Sequence, residues 1–111
     1  MTLTQVLYAL AVEKHLNFSA AARSLFVSQP ALSLQIKTLE TELGCMLFER
    51  TTHGVAVTKR GREFCEAARP LARAWDEFQT AVRGGAARSA HRTGSTRVLQ
   101  QAVPKDRPLS R

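Results

Sequence analysis

A mainly α fold is predicted for this 111-residue chain: a core of three short helices, a β-hairpin, then one long helix. Three observations carry that expectation. Apolar residues recur at helical steps of three and four through most of residues 1–83. The period breaks once, at residues 47–57, where two short apolar runs flank a polar turn. The chain is also short enough to hold one domain and an appendage, but not two full cores.

Leu3, Val6, Leu7, Leu10 and Ala11 share one helical face, with Thr2 or Thr4 placed to cap it, so a first helix should end near Lys14 and His15. Asn17 and Phe18 then make a turn. Ser19 is suited to cap a second helix, whose small Ala21 and Ala22, with Leu25, face inward and admit a crossing helix. Phe26 and Val27 close it. Ser28 caps a third helix, and Pro30 falls in its first turn, where a missing N–H is harmless. Leu32, Ile36, Leu39 and Leu43 form its inward stripe, and Gly44 stands where a left-handed terminal residue belongs.

Residues 47–50 and 55–57 read as strands around the polar turn 51–54. So short a hairpin is not stable alone and must pack on the helices as a wing. Thr58 caps a last helix whose residues Phe64, Ala68, Leu71, Trp75, Phe78 and Val82 step alternately by four and three, a seam of coiled-coil type. Pro70 inside it removes one backbone bond and should kink or divide the helix. Residues 1–58 are therefore assigned to a winged three-helix domain and residues 59–83 to a linker helix. Trp75 and Phe78 have little core of their own to cover, so a homodimer is expected to bury the seam. The alternative is a helix folded back on its own domain. From Gly84-Gly85 onward the period is lost, and residues 84–111 read as a disordered basic tail.

The formal net charge of +7 favours a polyanionic partner. Residues 1–83 nonetheless hold ten Lys/Arg against eight Asp/Glu, and residues 84–111 six against one, so charge alone does not make the folded part a nucleic-acid binder. Cys45 and Cys65 lack partner spacing and a His cluster, which reads as two buried thiols rather than a metal site or a disulfide. No apolar run approaches the ~20 residues of a membrane span, and the N-terminus lacks an export pattern, so a cytoplasmic protein is expected. No cofactor is implied. Paired carboxylates, a phosphate-cradling glycine loop and a nucleophile–base arrangement are all lacking, which argues against an enzyme.

Pattern decides what charge does not. On the third helix Gln29, Ser33 and Lys37 fall opposite the Leu32/Ile36/Leu39 stripe, on a polar face with nothing to bury. Gln can bond adenine N6 and N7 together, Ser can donate to or accept from several bases, and Pro30 and Ala31 suit a thymine methyl. Lys37 is placed to reach a phosphate, and the N–H groups of the helix start add another anion contact. Arg50, His53, Lys59, Arg60 and Arg62 surround the wing and the next helix start, as phosphate contacts would. Together these features describe a winged helix-turn-helix, with the two-helix motif spanning Phe18 to Lys37 and double-stranded DNA as partner.

Phe18, Ala21-Ala22, Leu25, the run Val27-Ser-Gln-Pro-Ala-Leu-Ser33, Gln35-Ile36, Leu39-Glu40, Leu43-Gly44, Leu47-Phe-Glu-Arg50, Gly54-Val55 and Thr58 resemble the N-terminal DNA-binding domain of LysR-type bacterial transcription regulators. The resemblance runs from about Leu3 to Gly61 and more loosely to Arg83. It implies a winged helix-turn-helix dimerised through a long linker helix, binding an imperfect inverted repeat at promoters. It implies base or nearby contacts from Ser28, Gln29, Pro30 and Ser33, and phosphate or minor-groove contacts from Arg50, His53 and Gly54. Leu34 replaces a common Arg or other polar residue on or beside the outward face, where it meets a thymine methyl or stands exposed. His53 replaces Arg, and Arg60 replaces a small residue.

The family continues into a sensor domain for a small-molecule coinducer, which residues 86–111 do not resemble. A truncated regulator without coinducer sensing is therefore expected. A second reading is an inactive or dominant-negative interaction module that pairs through the seam with a full-length paralogue.

Overall fold

A computed structural model of the chain describes residues 1–84; the tail expected beyond Gly84 lies outside the described residues. The order of elements is α1 (Leu3–His15), α2 (Phe18–Leu25), α3 (Gln29–Leu43), β1 (Phe48–Thr51), β2 (Gly54–Val57) and α4 (Lys59–Arg83). The expected fold class is therefore observed: three core helices, a two-stranded antiparallel wing and a long last helix.

The first unit is Met1–Arg69. It extends past the boundary at residue 58 because the opening of α4 carries buried groups, Gly61, Cys65 and Ala68. Its core joins Val12 of α1, Phe18 and Ala21 of α2, Leu32, Ile36 and Leu39 of α3, Leu47 and Phe48 at the wing, and Cys65. Phe64 packs against the same core, so Phe64 and Ala68 of the expected seam are already engaged within one chain. On α1 the fully buried residues include Ala9 and Val12, while Leu7, Leu10 and Ala11 are only half-buried, so the stripe is rotated from the one expected. Burying a side chain such as Leu32 or Leu39 contributes about 2 kcal/mol.

The helix ends follow local chemistry. Thr2 caps α1 in a reciprocal box with Gln5, whose side chain accepts from the Thr2 N–H at 3.0 Å. Asn17, not Ser19, caps α2: its Oδ1 accepts from the Ala20 N–H at 2.8 Å, and Phe18 opens the helix as a core residue rather than lying in a turn. Ser28 caps α3 through the Ala31 N–H, and Gly44 ends it at φ 74°. Thr58 does the same for α4, accepting from the Gly61 N–H at 2.9 Å.

In the wing, Phe48 pairs with Val57 and Thr51 with Gly54, which tightens the turn to Thr52 and His53. Gly61 is obligatory where α4 passes the wing, since a Cβ there would collide with the Leu47 carbonyl oxygen. A bidentate pair from Arg69 to Glu13 fastens α4 to α1, at 2.8 and 3.1 Å.

The second unit begins at Pro70. α4 is assigned without a break through that proline and ends at Arg83, before Gly84, where the helix stop was expected. Within this unit the Trp75 and Phe78 rings stack with centroids 5.6 Å apart. Leu71, Phe78 and Val82 are exposed.

Candidate nucleic-acid interface

α3 separates two faces sharply. Leu32, Ile36 and Leu39 are buried, while Gln29, Pro30, Ala31, Leu34 and Lys37 are exposed and Ser33 is half-buried. Leu34 is 63% exposed and so stands on the open face. The hydroxyl oxygen of Ser28 is committed to capping, which makes this residue an organiser of the helix start.

Gln29 and Ser33 are not loose. The Ser19 hydroxyl donates to Gln29 Oε1 at 2.8 Å, and Arg50 Nη2 donates to Ser33 Oγ at 2.8 Å. The Arg50 guanidinium also lies 4.0 Å over the Phe18 ring, a cation–π contact between β1 and α2. Ser33, Lys37 and Arg50 thus line one open depression of about 520 Å³, floored by Phe18, Ile36 and Phe48.

The remaining expected phosphate contacts divide. His53 is exposed at the wing turn, its N–H donating to Thr51 Oγ1 at 3.2 Å. Gly54 answers a backbone requirement: φ is 131°, and a Cβ would stand 2.7 Å from the Leu16 carbonyl oxygen. That same oxygen accepts from the Val55 N–H at 3.1 Å and so ties the wing to the end of α1. Lys59 is exposed at the start of α4. Arg60 pairs with Glu63 at 3.6 Å and lines a separate depression with Leu43, Cys45 and Phe64, so it does not join Ser33, Lys37 and Arg50.

Three contributors were missed from sequence. The sequence pattern makes Ser19 a cap and Phe18 a turn residue, and marks Glu40 only through a resemblance. Glu40 Oε2 accepts from the N–H groups of both Leu47 and Phe48, at 2.7 and 3.1 Å, which fixes the wing root to α3. The Asn at position 17 was the available clue for Ser19, because only one of two neighbouring cap residues can serve.

Chemically, the face offers hydrogen-bond donors, acceptors and positive charge. Among the described residues no group of three His, Cys, Asp or Glu could hold a metal ion. Cys65 is buried as expected, but Cys45 is only half-buried. Burial, aided by the Glu13 carboxylate and opposed by Arg69, pushes the Cys65 thiol up to about 11. Among the described residues no helix is long and apolar enough to cross a membrane.

Residues 3–62 match the family described as bacterial regulatory helix-turn-helix protein, lysR family. The chain belongs to the lysR family. It is 48% identical over 71 residues to the HTH-type transcriptional regulator ClcR of Pseudomonas putida, covering 64% of this chain and 24% of ClcR. It is 47% identical over 66 residues to the HTH-type transcriptional regulator BudR of Klebsiella aerogenes, covering 60% of this chain and 46% of BudR. This LysR-family chain thus spans less than half the length of these relatives. Its fold resembles the CbnR DBD in complex with DNA, with a TM-score of 0.67, 36% identity and coverage of 78% of this chain and 99% of that one. It also resembles the BenM DBD in complex with catB site 1 DNA, with a TM-score of 0.69, 36% identity and coverage of 75% and 93%.

Proposed function

We propose that this LysR-family chain is a sequence-specific DNA-binding transcription regulator that acts without chemistry of its own. α3 enters the major groove, with Gln29 and Ser33 reading base edges and Pro30, Ala31 and Leu34 meeting thymine methyls. Lys37, Arg50 and the wing around His53 hold phosphates, so affinity falls steeply as salt rises. The observation that carries this reading is the outward, preorganised pair Gln29 and Ser33, set opposite the buried Leu32/Ile36/Leu39 stripe. Solved DNA complexes of similar chains support it.

The test compares a selected duplex with a scrambled one. Gln29→Ala is expected to relax the preference between them; a preference left intact would remove Gln29 from the base-reading set.

Binding as a dimer to an inverted repeat belongs to the same proposal. Leu71, Phe78 and Val82 remain exposed on α4 beside the stacked Trp75, which supplies an apolar surface for a second copy. Analytical sedimentation should show a dimer at tens of micromolar, and Phe78→Glu should dissociate it. A monomer across that range refutes the dimer without touching the base-reading proposal.

A further inference from the structure

We infer that Ser19 is a specificity-determining positioning residue that acts through Gln29, an inference that rests on the reading of α3 as the base-reading helix. Ser19 sits in the first turn of α2, but Asn17 does the capping there, so its hydroxyl is left for another partner. It uses that freedom across the helix-turn-helix, donating to Gln29 Oε1 at 2.8 Å.

A serine hydroxyl can donate to Oε1 or accept from Nε2, so the contact fixes the place of the carboxamide against α2, and it is Oε1 that faces Ser19 here. Oε1 is held towards α2 with one lone pair to spare, and the Nε2 donors are turned away from Ser19. An acceptor and a donor in fixed order match adenine, whose N6 donates and N7 accepts. Guanine presents O6 and N7, two acceptors, so the held Oε1 faces another lone pair. Without Ser19 the carboxamide is free to leave this bidentate position and make a single Nε2 donation to guanine O6 or N7 instead. Ser19 therefore enforces adenine over guanine at the base pair that Gln29 reads, although it need not touch the base.

The experiment measures binding of the full chain to duplexes varied at each position of a selected site. The proteins are the parent, Ser19→Ala, Ser19→Thr, Gln29→Ala and the Ser19→Ala/Gln29→Ala double variant. Ser19→Ala is expected to lower adenine-over-guanine discrimination about threefold to tenfold at the pair that Gln29→Ala also relaxes. Affinity for scrambled duplex, salt slope and thermal midpoint should stay unchanged, which a merely structural role would not allow. Ser19→Thr should restore discrimination, and the double variant should match Gln29→Ala alone.

If Gln29→Ala relaxes that pair while Ser19→Ala leaves it intact, the role of Ser19 is overturned and the reading of α3 stands. A uniform loss of affinity in Ser19→Ala also overturns it. If Gln29→Ala changes no position, the reading of α3 fails and the inference fails with it.

Discussion

The Arg50 guanidinium lies 4.0 Å over the Phe18 ring while its Nη2 holds Ser33 Oγ at 2.8 Å, so one side chain of the wing braces both helices of the motif. Arg50 therefore does more than present a charge. Arg50→Lys keeps that charge but loses the planar stack and the fork, worth about 0.5–1 kcal/mol for an exposed cation–π contact. Affinity for the preferred duplex should fall several-fold while the salt slope is retained. Mobility-shift titrations at several salt concentrations check this, and equal losses on preferred and scrambled duplexes would reduce Arg50 to a phosphate contact.

Leu34 makes a different claim. At 63% exposure on the open face, it gains by meeting a C5-methyl group. Replacing thymine by deoxyuridine at single positions of the bound site should weaken binding at one or two of them, by about threefold for one buried methyl. Leu34→Ala should abolish the difference at the position Leu34 meets, leaving any that Pro30 or Ala31 makes.

Glu40 is expected to be a stability residue for the wing. Glu40→Ala leaves the part-buried Leu47 and Phe48 N–H groups without their acceptor, at a cost of about 2–4 kcal/mol. Urea unfolding measures the loss. A change below 0.5 kcal/mol, about the size of a neutral surface substitution, would show that water replaces the carboxylate without penalty.

Gly61→Ala should be among the most damaging small changes in the first unit. The added methyl collides with the Leu47 carbonyl oxygen, a backbone atom that cannot swing aside. Overpacking of this kind costs about 1–3 kcal/mol or more. A thermal midpoint close to that of the parent would mean that the wing shifts freely.

Cys65 gives a pH signature. Its thiol is raised from 9.0 to about 11 in the fold, so the native state holds the proton more tightly than the unfolded chain. The resulting stability is complete below pH 9, falls as the unfolded chain ionises first, and is gone above pH 11. The full loss is about 3 kcal/mol. Urea midpoints from pH 8 to 11 should fall less steeply in Cys65→Ala than in the parent.

Much of the first unit was legible because its signals are local. The Leu32/Ile36/Leu39 stripe acts within one helix, and Ser28, Gly44 and Thr58 within one turn of their helix ends, and period and capping rules reach that far. The choice between Asn17 and Ser19 was not legible, since both suit a cap and the backbone of residues 16–18 decides. Leu16 adopts φ 52° without being glycine, so nothing in its side chain announces the bend or its link to the wing. Arg50 with Phe18, and Glu40 with the wing root, join residues far apart in sequence through contacts that no period encodes. Of the stripe expected on α1 only Val6 is fully buried, because residues 6–12 form an unbroken apolar run that leaves the buried side to be chosen by α2 and α3.

One carboxylate oxygen fastens the root of the hairpin to the rod beside it, and the carbonyl of Leu16 pins the hairpin's far strand. Under the proposed reading, a duplex that meets α3 and the wing at once supplies adjustment through groove width and bendability at steps that no side chain reaches.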